Sequence, residues 1–375
     1  MPATMDAMTT ALNPKPSALD LDPDGLAELV TSIGQPRYRA RQVMRWLYRG
    51  VRAFDEMTDL PKPLRTALAE RVAASSLKPS RSTRSSDGVT TKVLFRLADG
   101  ALVESVHMRH AGAKNKVRTT ICVSSQAGCA YGCAFCATGQ GGYGRNLTSG
   151  EILEQILFFL REDEGQTDAL PLPANSRPVT NIVFMGMGEP FANYDNVMQS
   201  LRALNAPWGL GLGARHMTVS TVGLVPQIHQ FTAEPLQIGL AISLHAPNDE
   251  LRDSIMPVNR KYSLAELMPA CREYVAATGR RITFEYVLLA GVNDSDEQAR
   301  ELARLLRGLL CHVNLIPMNP TASSLFARPS GERMRAFAEV LDLAGIPVTL
   351  RDTQGGDIQA ACGQLRTSAQ RLDPD

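Results

Sequence analysis

The chain has 375 residues, of which 44% are hydrophobic and 21% are charged. This composition is typical of a soluble protein, and the length is ample for one large domain with a smaller one beside it. No apolar run approaches the roughly 20 residues that a membrane helix needs, and the N-terminus lacks the pattern of a secretory signal. We therefore expect a cytoplasmic protein without a membrane partner.

Positive charge is concentrated near the front of the chain. Residues 37–118 contain eighteen Lys and Arg against seven Asp and Glu, a net charge of +11. Because the whole chain carries +1, the remainder carries −10. A basic front segment on an acidic body predicts that this segment contacts a polyanion.

The front of the chain divides into a tail, a helical segment and an extended segment. Residues 1–15 are polar and contain proline without periodicity, which predicts a disordered tail. Residues 16–75 are predicted to form a small, mainly helical accessory domain. Residues 76–114 are predicted to form a connecting β-rich extension with a turn at Asp99-Gly100.

The accessory domain contains the segment PRYRARQVMRWLYRGVR at 36–52, which is rich in arginine and aromatic residues. Val43, Trp46 and Leu47 fall at helical spacing and are expected to face the core. Four arginines are expected to share one stripe of the helix: Arg41, Arg45, Arg49 and Arg52. A solvated helix face is the ordinary explanation of such a run. Arginine also stacks on bases and grips phosphate, which favours RNA contact here.

From about residue 115 the pattern changes to strands that alternate with helices. Strands are predicted at 118–125, 180–186, 215–221, 237–243, 281–288 and 312–317, with a further strand near 347–351. Helices are predicted between them, for example at 149–162, 194–205, 264–277, 295–309 and 331–343. Six strand–helix units predict an α/β fold with a mostly parallel sheet, curved into a partial, open (β/α)6 barrel. We place this core at residues 115–357, followed by a C-terminal segment at 358–375.

Three cysteines form the motif Cys129-x3-Cys133-x2-Cys136, in a Gly-containing loop after the first barrel strand. The chain has seven cysteines, an odd number, and no secretory signal, which disfavours a disulfide scaffold and favours metal binding. Three thiolates satisfy three irons of a [4Fe–4S] cluster and leave the fourth open to a small ligand. Zinc is one alternative, but it needs a fourth ligand, and unrelated core cysteines are the other. The next sulfur is Cys122, and no histidine lies close in sequence.

Several motifs, in order along the chain, resemble one known family. The cysteine motif after the first strand of a six-unit barrel is similar to the radical S-adenosylmethionine (SAM) superfamily. The segments CVSSQAGCAYGCAFCATGQGGYGRNLTSGEI, GMGEP, SLHAPND, NLIPMNP and GGDIQAACGQL together resemble the RlmN/Cfr family of RNA adenosine methyltransferases. The resemblance extends from about residue 100 to 366. It implies a radical SAM barrel, one [4Fe–4S] cluster held by the three motif cysteines, SAM at the open iron and an RNA substrate.

The resemblance assigns SAM contacts to residues at predicted strand ends. From the residues alone, Gly188 and Glu189 indicate a turn with a solvated carboxylate, and the serines and the asparagine indicate helix N-caps. The family pattern implies instead that seven residues bind SAM: Gly188, Glu189, Ser220, Ser243, Leu244, His245 and Asn319. Because strand C-termini form the active face of parallel barrels, we expect these residues to meet.

The resemblance also assigns three residues to the reaction. Glu104 lies in an alternating strand and on its own indicates an outward-facing carboxylate, but the family pattern implies a proton acceptor. Cys362 on its own indicates a buried small residue or a residue at a turn, but the pattern implies a carrier of the methyl group as S-methylcysteine. Cys122 is implied to form a transient disulfide with Cys362. Cys271 and Cys311 match no family motif and are expected in the core.

The activity implied by the resemblance is methylation of adenine C2 in 23S ribosomal RNA and in tRNA next to the anticodon, with two SAM molecules used per turnover. The closest alternative is methylation of adenine C8 by the same apparatus, and the GGDIQAACGQL ending favours C2. Two further alternatives are an RNA-binding protein with structural zinc and a radical SAM enzyme with a peptide or small-molecule substrate. The basic front segment disfavours the last. We also expect an electron donor of the flavodoxin or ferredoxin type, and a monomer.

Overall fold

A computed structural model describes residues 15–111, 117–165, 179–319, 325–351 and 354–365. The predicted tail lies outside them except for Lys15, as does the C-terminal segment beyond Leu365. Among the described helices, none has both the length and the apolar character required to cross a membrane.

The described strands form one large sheet and one small one. Their bounds are β1 Lys78–Arg84, β2 Thr90–Arg96, β3 Leu102–Ala111, β4 Val117–Cys122, β5 Gln126–Gly128, β6 Tyr143–Asn146, β7 Asn181–Phe184, β8 Met217–Thr221, β9 Gly239–Ser243, β10 Ile282–Leu288, β11 Cys311–Pro317 and β12 Val348–Leu350. The large sheet has the order β1-β2-β3-β4-β7-β8-β9-β10-β11-β12, and β5 pairs with β6 separately. From β4 to β12 every neighbouring pair is parallel. The predicted barrel strands and the further strand near 347–351 are confirmed.

Helices precede the sheet and connect its parallel strands. Their bounds are α1 Pro23–Ser32, α2 Arg39–Leu47, α3 Lys62–Arg71, α4 Ala137–Gln140, α5 Ser149–Gly165, α6 Tyr194–Asn205, α7 Val225–Thr232, α8 Asp249–Ile255, α9 Leu264–Thr278, α10 Asp296–Leu306 and α11 Gly331–Leu343. A capping box begins α5, since Thr148 and Glu151 exchange side-chain and backbone hydrogen bonds.

The β-rich extension is part of the barrel sheet rather than a separate linker. Strands β1 to β4 pair in antiparallel fashion, and Val106 on β3 lies opposite Cys122 on β4. The Ser105 hydroxyl also donates to the Cys122 carbonyl at 2.7 Å. This pairing carries Glu104 to the first parallel strand of the barrel.

Two carboxylates join the accessory segment to α5. Glu154 is 6% exposed and accepts from the Ser76 N–H at 2.7 Å and the Leu77 N–H at 2.9 Å. Asp20 accepts from the Gly150 N–H at 2.6 Å, at the N-terminus of α5 where the helix dipole favours a negative charge. The helical segment is therefore fixed against the barrel.

The arginine stripe is only partly helical. Val43 and Leu47 are buried as expected, whereas Trp46 is half-buried. Because α2 ends at Leu47, the expectation that four arginines share one helix stripe is wrong for Arg49 and Arg52. Both follow the helix, and the Arg52 guanidinium turns back to an ion pair with Glu162 of α5 at 3.0 Å.

Candidate active site

The cysteine motif lies in a loop that follows β5 and is tied down at several points. Gly128 has a φ of +81°, and a Cβ there would lie 2.1 Å from the Gly142 carbonyl oxygen, so the pairing of β5 with β6 requires glycine. The Cys129 N–H donates to that same carbonyl at 2.8 Å. The Ala134 N–H donates to the Ile255 carbonyl of α8 at 2.9 Å. These contacts fix the backbone that presents the thiols.

The three thiols are neighbours in a largely buried place. Cys133 is buried, and Cys129 and Cys136 are half-buried. Burial raises the pKa of the Cys129 thiol to about 12; the Tyr131 backbone N–H opposes this rise, and the charges of Glu189 and Cys136 add to it. Burial also raises the pKa of Cys133, and the charges of Cys136 and Cys129 raise it further. Such thiols become thiolates when positive metal centres compensate their charge.

The donor set, three thiols on one loop, is of the kind that binds an iron–sulfur cluster. Within the described ranges no group of three or more His, Cys, Asp or Glu side chains is arranged to hold a metal ion. A structural zinc site brings four ligands around one point, with thiolates at about 2.3 Å. In an iron–sulfur cube each cysteine binds a different iron, so its ligands lie farther apart.

The GMGEP loop is a tightly packed turn with a buried carboxylate. Gly188 has a φ of +100°, and a Cβ there would lie 2.5 Å from the Gln126 Cβ. The Glu189 side chain accepts from the Val222 N–H at 2.8 Å and from the Phe191 N–H at 3.0 Å. Burial raises the Glu189 pKa to about 7, against the lowering effect of these hydrogen bonds. The alternative of a solvated carboxylate in a turn is therefore wrong.

The remaining predicted SAM contacts lie at the C-terminal ends of β8, β9 and β11. Ser220 pairs with Ala241 and Ser243 with Glu285, so the two serines lie on adjacent strands. Leu244 and Asn319 are buried. The N-cap alternative is wrong for Ser220, Ser243 and Asn319, because the helices that follow are capped by other residues: Leu224 for α7, Asn248 for α8 and Ser330 for α11.

His245 is held in one tautomer at the end of β9. Its φ of +60° is unusual for a residue with a side chain, and Asn293 donates to its carbonyl at 2.9 Å. The Nδ1 atom accepts from the Val287 N–H at 3.0 Å. Burial, assisted by the charge of Arg252, lowers the His245 pKa to about 3, so the ring is neutral and its proton is on Nε2.

Arg252 of α8, which the sequence analysis did not single out, joins the strand ends. Its side chain is fully buried and donates to the carbonyls of Val222 at 2.7 Å, Leu244 at 3.1 Å and Ser243 at 3.2 Å, and to Asn259 Oδ1 at 2.8 Å. Burial lowers the Arg252 pKa to about 10. One arginine on a short, polar helix carries no sequence signal that separates it from surface arginines.

Glu104 is buried, so the alternative of an outward-facing carboxylate is wrong. Its Oε1 atom forms an ion pair with Lys92 Nζ at 3.0 Å. Its backbone is fixed by the Ser124 hydroxyl, which donates to the Glu104 carbonyl at 2.6 Å, and by the Met187 sulfur, which accepts from the Glu104 N–H at 3.4 Å. Lys92 was also missed by the sequence analysis.

Cys362 is exposed and lies in a turn, so the alternative of a residue at a turn is confirmed and that of a buried small residue is wrong. Surrounding protein nevertheless raises the pKa of its thiol to about 12, and the charges of Cys122, Glu285 and Cys136 raise it further. Cys122 is buried on β4 and is a free thiol, as is Cys362. Cys271 and Cys311 are buried in the core as expected.

The backbone around Cys362 is attached to the site. The Asn319 side chain donates to the Cys362 carbonyl at 3.3 Å. The N–H of Ala137, the residue after Cys136, donates to the Gly363 carbonyl at 2.9 Å. The structure thus brings Cys362 together with Cys122, one motif cysteine and the end of β11.

Comparisons with known proteins assign the chain to a family. Residues 18–73 match the family described as "Ribosomal RNA large subunit methyltransferase N-terminal domain", and residues 171–303 match the "Radical SAM superfamily". A protein of Symbiobacterium thermophilum named "Probable dual-specificity RNA methyltransferase RlmN" is 49% identical over 348 residues, which cover 92% of this chain and 90% of that protein. The chain belongs to the RlmN family. A Chloroflexus aurantiacus protein of the same name is 51% identical over 347 residues, covering 91% of this RlmN-family chain and 90% of the relative.

A solved structure gives the same result. The crystal structure of a radical SAM methyltransferase from Sphaerobacter thermophilus superimposes with a TM-score of 0.87 at 52% identity, covering 94% of this chain and 99% of that one. The radical SAM barrel is confirmed, and the RlmN-family chain is an enzyme. Its superfamily uses a [4Fe–4S] cluster and SAM, which are therefore its cofactors.

Proposed function

We propose that this enzyme methylates C2 of an adenine in 23S ribosomal RNA and in tRNA next to the anticodon. The observation that carries the proposal is the accessible Cys362 thiol, beside the buried Cys122 thiol and the cysteine-motif loop. Relatives that are 49% and 51% identical are named dual-specificity RNA methyltransferases, which supports RNA as the substrate.

Adenine C2 requires an unusual route. It lies between two ring nitrogens and is electron-poor, so it cannot attack the SAM methyl group as an amine or a thiolate does. A cofactor must therefore supply radical chemistry, while the protein binds, orients and moves protons. We assign the cluster to Cys129, Cys133 and Cys136, and SAM to Gly188, Glu189, Ser220, Ser243, Leu244, His245 and Asn319. When bound, the cluster and SAM supply a 5′-deoxyadenosyl radical.

Cys362 carries the methyl group to the base. Its thiolate displaces S-adenosylhomocysteine from a first SAM molecule and becomes S-methylcysteine. Loss of a hydrogen atom from that methyl group leaves a methylene radical on the Cys362 sulfur, and its carbon bonds to adenine C2. The exposure of Cys362 supports this role, because the base must reach its sulfur.

Two further residues complete the turnover. Glu104 accepts the proton from C2; its ion pair with the Lys92 ammonium supports this role, because a nearby positive charge favours the charged carboxylate. The unpaired electron of the adduct would return to the oxidised cluster. The Cys122 thiolate then attacks the Cys362 sulfur, the carbon–sulfur bond breaks, and its electron pair with one proton completes the methyl group on C2. A disulfide forms and the methylated RNA leaves. An external reductant resets both thiols.

The basic accessory region is the proposed RNA contact. Arg41, Arg45, Arg49 and Arg52 are all exposed, but Arg45 lies 3.7 Å from Asp59 and Arg52 pairs with Glu162. Arg41 and Arg49 are therefore the stronger candidates for phosphate contacts. A cytoplasmic location, a flavodoxin- or ferredoxin-type electron donor and a monomeric state complete the proposal.

Two cysteine variants test the covalent route. With anaerobically reconstituted enzyme, SAM, a reductant and protein-free 23S RNA, nucleoside mass spectrometry should show 2-methyladenosine. Cys362→Ala should abolish it, while Cys122→Ala should accumulate protein covalently bound to RNA. Catalytic methylation by Cys362→Ala would refute the route. A product with the chromatographic retention of 8-methyladenosine would show that the methylated carbon is C8 and not C2.

A further inference from the structure

Lys92 contacts both sides of the proposed reaction site. It lies on β2 and pairs with Val106 of β3, while Leu94 pairs with Glu104. Residues two apart on a strand share a face, so Lys92 and Glu104 are diagonal neighbours on one face of the sheet. Their side chains are 13% and 7% exposed, and Lys92 Nζ lies 3.0 Å from Glu104 Oε1. The ammonium therefore compensates a carboxylate that is otherwise costly to bury.

The same ammonium reaches the segment that presents Cys362. Lys92 Nζ donates to the Gln359 carbonyl at 3.1 Å, three residues before Cys362. Gln359 has a φ of +52°, a conformation that residues with side chains seldom adopt without support from their surroundings. A hydrogen bond from a charged donor to the carbonyl of that residue supplies such support.

Lys92 is one of several attachments of this segment. On the sheet side, the Ser86 N–H donates to Asp357 Oδ2 at 2.8 Å. On the side of the cysteine motif, the Thr138 hydroxyl donates to the Leu365 carbonyl at 2.5 Å. Cys362 lies between these attachments. The attachment made by Lys92 also contacts the proposed proton acceptor, Glu104.

We propose that Lys92 is a positioning residue, whose ammonium holds the Glu104 carboxylate ionised and fixes the backbone that presents Cys362 to the same adenine. The inference rests on the proposed function, because it concerns the step in which a C2 proton passes to Glu104. In that step the adenine is bonded through the methylene carbon to the Cys362 sulfur while the Glu104 carboxylate accepts its C2 proton. Both residues must therefore reach the same base at the same time. A single ammonium bound to both parts sets their relative position.

The test separates this step from those before it. Lys92→Met removes the charge and keeps the apolar stem, Lys92→Gln keeps a hydrogen-bond donor without charge, and Lys92→Arg keeps the charge. Lys261→Met, which alters an exposed lysine over the Tyr262 ring, is the matched control. For each variant the readouts are iron content, methylation of Cys362 by SAM without RNA, kcat and KM for RNA methylation, and covalent protein–RNA adduct.

In Lys92→Met we expect iron content and Cys362 methylation to be unchanged. We expect kcat for RNA to fall about tenfold to hundredfold at unchanged KM, because losing a positioning residue removes part of the roughly 10²–10⁴-fold that a general base contributes. Adduct should accumulate although Cys122 is intact, because proton acceptance precedes its attack. Lys92→Arg should recover most of the rate, Lys92→Gln should remain slow, and Lys261→Met should behave as the wild type.

An unchanged kcat in Lys92→Met would overturn the inference. So would an equal loss of iron, Cys362 methylation and RNA methylation in both Lys92→Met and Lys92→Gln, since that pattern assigns Lys92 a purely structural role. Failure of the proposed function gives a different result. The wild-type enzyme would then form no 2-methyladenosine, and the Cys122→Ala variant would form no covalent adduct with RNA.

Discussion

Replacing Arg252 with methionine tests how the strand ends that carry the proposed SAM contacts are held together. The buried guanidinium donates to the Val222 carbonyl after β8, to the Ser243 and Leu244 carbonyls at the end of β9, and to the Asn259 side chain. Methionine matches the length of the arginine stem and donates to none of these acceptors. The substitution therefore leaves buried oxygens without their donor.

The expected loss of stability follows from the two shortest of these bonds, to Val222 at 2.7 Å and to Asn259 at 2.8 Å. A hydrogen bond to a charged group contributes about 1.5–3 kcal/mol, so the pair accounts for about 3–6 kcal/mol. Removing a buried charge recovers part of its desolvation cost. We expect the free energy of unfolding to fall by about 4 kcal/mol, within the range for breaking buried charged networks.

Urea unfolding followed by circular dichroism measures this loss, and SAM binding by the folded variant measures its effect on the site. Arg304→Met is the control, because Arg304 forms an exposed pair with Glu297 at 2.9 Å and such pairs contribute about 0–1 kcal/mol. A change of less than about 1 kcal/mol in Arg252→Met, equal to that of the control, would refute the reasoning.

Three further predictions concern the same face of the barrel. Because the folded-state pKa of His245 is lowered to about 3, its stabilising effect is present above pH 6.5 and is lost as pH falls. Because of this group, the free energy of unfolding should be about 2 kcal/mol lower at pH 5 than at pH 7, and His245→Asn should remove that difference. Gly188→Ala places a Cβ 2.5 Å from the Gln126 Cβ at a φ of +100°, so calorimetry should show weakened SAM binding; wild-type affinity would contradict the packing. Cys133→Ala should lose iron on anaerobic reconstitution while Cys271→Ala retains it, and equal iron content would contradict the ligand assignment.

The parallel strands could be predicted from the sequence because each buried strand is a short apolar run that is visible within a few neighbouring residues. β9 and β10 are short apolar runs between polar turns, and the strand after Leu309 has the same pattern. The bounds were less predictable: the first barrel strand was expected over 118–125 but ends at Cys122. The three-residue strand β5 then pairs with β6 across the cysteine motif. So short a strand has too few residues to show a period, and its pairing depends on tertiary contacts.

The residue types at the site were predictable, but their surroundings were not. The motifs identify Glu104, Glu189 and Cys362, yet the ordinary interpretation was wrong about the burial of both carboxylates, and for Cys362 it left a buried residue and a turn open. Lys92 donates to a carbonyl 267 positions away, and no local pattern predicts such a contact. Contacts of this kind depend on how the antiparallel extension joins the barrel sheet.

The most direct test of the covalent route follows one methyl group from protein to RNA. Enzyme carrying a deuterated methyl group on Cys362 is freed of excess SAM, then mixed anaerobically with unlabelled SAM, a reductant and RNA for a single turnover. The account predicts 2-methyladenosine that contains deuterium but has lost one deuterium atom of the original methyl group, with Cys362 freed of the label. Unlabelled methyladenosine, with the deuterated methyl group still on Cys362, would contradict it.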